Sequence, residues 1–143
     1  MATEETIDQL NSFLRGEISA VETYSQAIDK IDNPAVRSTL QQCRTSHQKR
    51  VSRIDAEIRR LGGSADKESG VWGSFAKLIE GGAKVFGEKA AVSVLEEGED
   101  HGLKDYKKDR SDLDPNVRVL VEAELLPEQQ RTHDVLSRLE KSL

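Results

Sequence analysis

The sequence predicts an all-α protein: an antiparallel four-helix bundle whose second and third helices are joined by a long crossover carrying one short helix. Three observations predict it. Apolar residues recur at alternating steps of three and four over long stretches, the spacing of a helix face packed in a bundle. Asn33-Pro34 and Asp114-Pro115 each put a capping side chain before a proline suited to the first helical position. Charged residues make up 33% of the 143-residue chain and aromatics only 4%, a balance that suits long amphipathic helices and not a sandwich of strands.

The first helix is read from about Thr3 to Asp32, with Ile7, Leu10, Leu14, Val21, Ile28 and Ile31 on its apolar stripe. Asn33-Pro34 ends it and starts the second helix, which runs to about Leu61 through Val36, Leu40, Cys43, His47, Val51, Ile54 and Ile58. Gly62-Gly63 is its expected C-terminal cap. Residues 62 to about 87 form the crossover: a flexible start, then Val71, Trp72, Phe75, Leu78, Ile79, Val85 and Phe86, broken by Gly81-Gly82, which read as a loop plus one short helix lying over the bundle. The third helix runs from about Glu88 to Lys108 with Val92, Leu95 and Tyr106 inward, and Asp109 to Asp114 is a turn. The fourth helix runs from Pro115 to near Leu143, and Pro127 inside it should kink it or force a wide turn.

The two halves carry similar marks. Gly16-Glu17 is followed by Tyr24 seven residues after the glutamate, and Gly98-Glu99 by Tyr106 at the same interval. Pro34-Ala35-Val36-Arg37 and Pro115-Asn116-Val117-Arg118 then start the next helix. This pattern reads as a duplicated helical hairpin. Short turns within each hairpin and a long link between them are the connectivity of ferritin-like bundles.

Polar residues interrupt the apolar faces: Glu17, His47, Glu99, and Glu128 with Glu124 one turn earlier. Counted from the turns at about 1.5 Å per residue, they fall within a few ångströms of one level. One layer is therefore expected to hold Glu17, His47, Glu99 and Glu128 or Glu124, with Tyr24, Tyr106 and Arg44 within reach. Buried carboxylates need a cation or hydrogen-bond partners. Two readings stay open: a metal site for iron or manganese, or a metal-free polar network.

At these residues the chain resembles the ferritin-like superfamily. The stretch from Gly16-Glu17 through Tyr24 is similar to the first metal-ligand helix of rubrerythrins. Over its whole length the chain more closely resembles an uncharacterised bacterial family of ferritin-like proteins, catalogued as a domain of unknown function. The shared marks are the two Gly-Glu starts, the Gly-Gly after the second helix, the Trp-containing crossover and His133-Asp134 in the last helix. The resemblance matches Glu17 and Glu99 to the superfamily's single glutamates, and His47 and His133 to its histidines. Di-iron members place a glutamate three residues before each histidine. Arg44 and Gln130 stand there instead, which implies a mononuclear or lost site.

The net charge of −5 argues against nucleic acid as a partner. The single cysteine, Cys43, excludes an intrachain disulfide and reads as a small core residue. His101 is expected at the surface. No apolar run approaches the roughly 18 residues of a membrane span, and the first residues lack a signal-type apolar core, so a cytoplasmic location is expected. The crossover reads as a lid or a dimer contact, which makes a homo-oligomer the expected assembly. No nucleophile is paired with a base and no phosphate-binding glycine loop is present, so catalysis is not expected. The favoured function is self-association or partner binding, with metal binding in iron handling or oxidative stress as its alternative.

Overall fold

The computed structural model describes residues 2–68, 87–108 and 113–143, with side chains from Glu4 onward. Helix α1 spans Ala2–Asp29 and α2 spans Pro34–Arg60. Helix α3 spans Glu88–Lys107. The fourth rod is continuous but built of three parts: α4 (Pro115–Leu120), a π-helical turn (Val121–Leu125) and α5 (Leu126–Ser142). The described residues contain no strand. Among them, no helix is long and apolar enough to cross a membrane. The short helix expected in the crossover lies outside the described residues, as does most of the turn expected at 109–114.

Local chemistry sets the boundaries. The Asn33 side chain accepts hydrogen bonds from the amides of Ala35 and Val36, and Pro34 fills the first helical position. Asp114 repeats the device on Asn116, with Pro115 behind it. At the other end of α2, Gly62 has φ +83°. Its amide bonds Arg59 while the Gly63 amide bonds the Ile58 carbonyl, the paired closure that requires a left-handed residue. Gly63 serves a second need, because a β-carbon there would lie 2.8 Å from the Ile7 side chain.

Each helix packs antiparallel to its neighbours: α1 on α2 and α3, and α5 on α3 and, over a shorter stretch, α2. The end of α2 lies beside Ile7 at the start of α1. The start of α3 lies at the opposite end, where Glu88 accepts a hydrogen bond from the Asn33 amide. Residues 61–87 therefore connect opposite ends of the bundle. Their first part climbs along α1: the Asn11 side chain donates to the Ser64 carbonyl and accepts from the Asp66 amide, and Arg15 pairs with Asp66.

The core is in two apolar halves. One contains Tyr24, Ile28, Ile31, Leu40, Val92, Leu95 and Leu136, near the α1–α2 turn. The other contains Leu10, Leu14, Ile54, Ile58, Val117, Val121 and Leu125 at the far end. Between them every rod contributes buried polar side chains.

Pro127 is accommodated by the π-turn directly before it, in which the Leu126 amide bonds the Val121 carbonyl five residues back. Such a turn holds about one residue more than an α-turn. The inward series is therefore Val121, Leu125, Gln129, Thr132 and Leu136. A plain α-helix would have carried the series through Glu128, as the spacing alone predicts.

A buried ionic layer as candidate functional site

Glu17 from α1, His47 and Arg50 from α2, Glu99 from α3, and Gln129 and Thr132 from α5 meet at mid-height, each at most 3% exposed. They form one closed network. The two ring nitrogens of His47 face two different carboxylates: Nδ1 lies 2.5 Å from Glu17 Oε1 and Nε2 lies 2.7 Å from Glu99 Oε2. An ionised carboxylate can only accept, so both nitrogens must donate and the ring is an imidazolium.

The Arg50 guanidinium uses all of its donors. Nη1 donates to Gln129 and, at 3.4 Å, to Glu17 Oε2. Nη2 donates to Ser46 and Thr132 hydroxyls, each at 3.0 Å, and Nε to the Ser46 carbonyl at 3.4 Å. On Glu99, Oε1 accepts from Gln129 at 2.8 Å and Thr132 at 2.7 Å, while Oε2 accepts from His47 and Tyr24. Tyr106 donates to Glu17 Oε2 at 2.5 Å. All four carboxylate oxygens are thereby occupied, and two anions stand against two cations.

The duplicated marks explain part of this order. Tyr24, seven residues after Glu17, bonds Glu99, and Tyr106, seven residues after Glu99, bonds Glu17. Each half thus supplies the phenol that satisfies the other half's carboxylate.

The electrostatics follow from burial set against pairing. Burial raises the pKa of Glu17, but the charges of Arg50 and His47 outweigh it and hold the carboxyl below its ordinary value. For Glu99 burial is likewise outweighed, by His47 and then Arg50. Burial and the Arg50 charge would lower His47, yet Glu99 and Glu17 raise it overall. Burial first, and then the adjacent carboxylate, push both phenols well above the usual tyrosine value. Burial and then Glu99 push the Cys43 thiol up to about 12, so it is no thiolate nucleophile.

Glu17, His47 and Glu99 therefore meet as the height count expects, with Tyr24 and Tyr106 bonded to them. Other expected members lie elsewhere. Glu128 sits on the α2–α5 face, accepting from Ser46 at 2.8 Å and pairing with Arg131. Glu124 pairs with Arg53 at 3.2 Å. The π-turn is the cause, since it rotates Glu128 off the inward face and puts Gln129 there. Arg44 reaches Ser25 rather than the layer. His133 lies in the α3–α5 seam, 3.4 Å from Glu96 and 3.6 Å from Asp100. His101, 41% exposed, faces Asp105.

Three members escape the sequence reading: Arg50, Gln129 and Thr132. Arg50 carried a signal, because it stands three residues after His47 on the same face, and two buried carboxylates need a second cation. Among the described residues, no group of three or more His, Cys, Asp or Glu side chains is arranged to hold a metal ion.

A small cavity of about 20 Å³ opens beside the layer between Gly16, Ala20 and Gly102, and touches Glu17, His47, Tyr106 and Gln129. That is room for a single water. Gly102 makes the approach of Gln129 feasible, since a β-carbon there would lie 2.8 Å from the Gln129 amide nitrogen.

These features define an all-helical protein whose four rods are tied by a buried, charge-balanced layer. The chain belongs to the family described as "Domain of unknown function (DUF2383)", whose profile matches residues 5–109. That span contains Glu17, Tyr24, His47, Arg50, Glu99 and Tyr106, and ends before Gln129 and Thr132. No curated protein and no solved structure matches the chain.

Proposed function

We propose that this is a non-enzymatic, ferritin-like bundle that acts through its surface, by self-association or by binding a partner, and that its centre is a structural ion network. The ferritin-like reading is supported by the antiparallel rods, the link between opposite ends and the mid-height polar layer. It is also supported by the form of that layer. Glu17 and Glu99 stand singly on α1 and α3, while α2 and α5 each present a pair three residues apart, His47 with Arg50 and Gln129 with Thr132. Di-iron bundles carry Glu-x-x-His at such pairs. Here all four pair positions differ, and an arginine and a charged histidine fill the centre.

The observation that carries the reading is the closure of the network. Every oxygen of Glu17 and Glu99 has a donor, and every donor of His47 and Arg50 has an acceptor. Iron or manganese on Glu17, His47 and Glu99 would require His47 to give up a proton and at least one of its two bonds, and would set a dication beside Arg50. A dication beside a buried guanidinium is opposed by its charge. The residues present therefore fit organic cations and not a metal pair. The adjoining cavity admits a water but no substrate.

The test is elemental analysis of protein purified without chelator, then anaerobic titration with Fe²⁺ and Mn²⁺ followed by thermal melting. The expected result is no stoichiometric metal and no change in melting temperature. A stoichiometric metal that raises the melting temperature and is lost on Glu17→Gln would overturn the metal-free reading. Sedimentation tests the other part: a strictly monomeric protein across micromolar concentrations would remove self-association.

A further inference from the structure

A second, larger cavity lies on the opposite side of the network. It is a cleft of about 310 Å³ between α2 and the fourth rod, at the lower end of the roughly 300–1,000 Å³ usual for small-molecule sites. Two ties across the helices bound it. Ser46 donates to Glu128 at one end, and Arg53 pairs with Glu124 at the other. Arg50 and Leu125 line it in between, together with Lys49. It opens where the π-turn carries Glu124 and Leu125 past α2, and π-turns often mark functional positions.

We propose that this cleft binds a small organic acid, a carboxylate on a short aliphatic body. The charge count favours an anion. Glu128 is held by Arg131 and Ser46, while Arg53 stands between Glu124 and, at 3.6 Å, Glu57, which Arg60 also holds, so these groups balance. Lys49, exposed at the rim, has no ion-pair partner among the described residues. The rim thus carries one uncompensated positive charge. The floor adds no negative field, because the centre beneath it is balanced and Arg50 is the charged residue of that centre that lines the cleft. The aliphatic body is argued from Leu125 and the methylene stems of Lys49 and Arg53, which long cationic side chains present along their length. Lys49 binds the carboxylate as a point charge.

The site lies outside the carboxylate layer, so its failure would leave the metal-free reading untouched. The experiment is a ¹H–¹⁵N correlation titration of the full chain with sodium hexanoate, with hexanamide and inorganic phosphate as parallel probes. The expected result is saturable shifts confined to residues 46–53 and 124–128 for hexanoate, weakened about tenfold in Lys49→Ala and retained in Lys49→Arg, as for loss and rescue of one charge-assisted contact. No saturable shift, equal binding of hexanamide, or an unchanged titration in Lys49→Ala would each overturn the anion site. Phosphate binding as tightly as hexanoate would overturn the organic-acid assignment.

Discussion

At the residue scale, Arg50 and His47 keep two carboxylates ionised where water is excluded. Removing one partner of a buried ion pair leaves the other charge uncompensated, at a typical cost of about 3–5 kcal/mol. Arg50→Met should therefore destabilise the protein by about that much in urea unfolding followed by circular dichroism. A loss below about 1 kcal/mol would mean that Glu17 finds another partner or takes up a proton. The phenols offer a gentler probe. Each donates to an ionised carboxylate, a class of bond with a net value of about 1.5–3 kcal/mol. Tyr24→Phe and Tyr106→Phe should lower stability by similar amounts, because the two bonds are counterparts in the two hairpins. Strongly unequal losses would speak against that equivalence.

At the scale of the element, the fourth rod holds the lesson. Its capping aspartate, its proline start and its length were all legible, and so was some distortion at Pro127. A kink and a wide turn both stood open there, and the π-turn is the wide turn. A kink keeps the register of side chains, whereas a π-turn advances it by one, and only the advance exchanges Glu128 for Gln129 at the centre. Nothing in Val121–Leu125 marks a π-turn in the sequence, because its cause is tertiary: the inward face before it and the network after it must both be served around a proline. This yields a prediction about Ala123, an exposed residue within the turn. Deleting it should restore a continuous α-helix with Gln129 and Thr132 still inward. It should also set the Pro127 ring against the carbonyl one turn back, a loss of about 3 kcal/mol. Adding Pro127→Ala to the deletion should recover most of that loss in the same unfolding assay. If the double variant is no more stable than the deletion alone, the proline is not the reason for the π-turn.

At the scale of the whole molecule, two apolar halves are joined by a polar layer, and that layer makes stability depend on pH. His47 has a raised value in the fold, so its contribution is complete below its ordinary 6.5 and is lost as pH rises through the folded value. Glu17 and Glu99 have lowered values, so theirs are complete above the ordinary 4.5 and are lost as pH falls through the folded values. Urea midpoints should therefore be highest between about pH 4.5 and 6.5 and decline on both sides. His47→Gln should abolish the alkaline decline. A wild-type midpoint that rises from pH 6.5 to 9 would contradict this assignment.

The helical class, the capped turns and the common level of Glu17, His47 and Glu99 were readable because helix periodicity and rise are local, regular quantities. The identity of the second cation was not, because choosing between Arg44 and Arg50 depends on which side of α2 faces the carboxylates, one turn either way. The reciprocal bonding of Tyr24 and Tyr106 was latent in the repeated seven-residue interval. It became a contact only once the rods were set antiparallel.

The claim on which the account rests is that organic cations close the centre. Nitrogen-15 spectra of the His47 ring at pH 7.5, a full unit above the ordinary histidine value of 6.5, test it most directly. The account predicts two protonated ring nitrogens, both with slowly exchanging protons and each coupled across a hydrogen bond to a carboxylate. A neutral ring with a single N–H, or a ring nitrogen shifted by added Mn²⁺ or Fe²⁺, would contradict it.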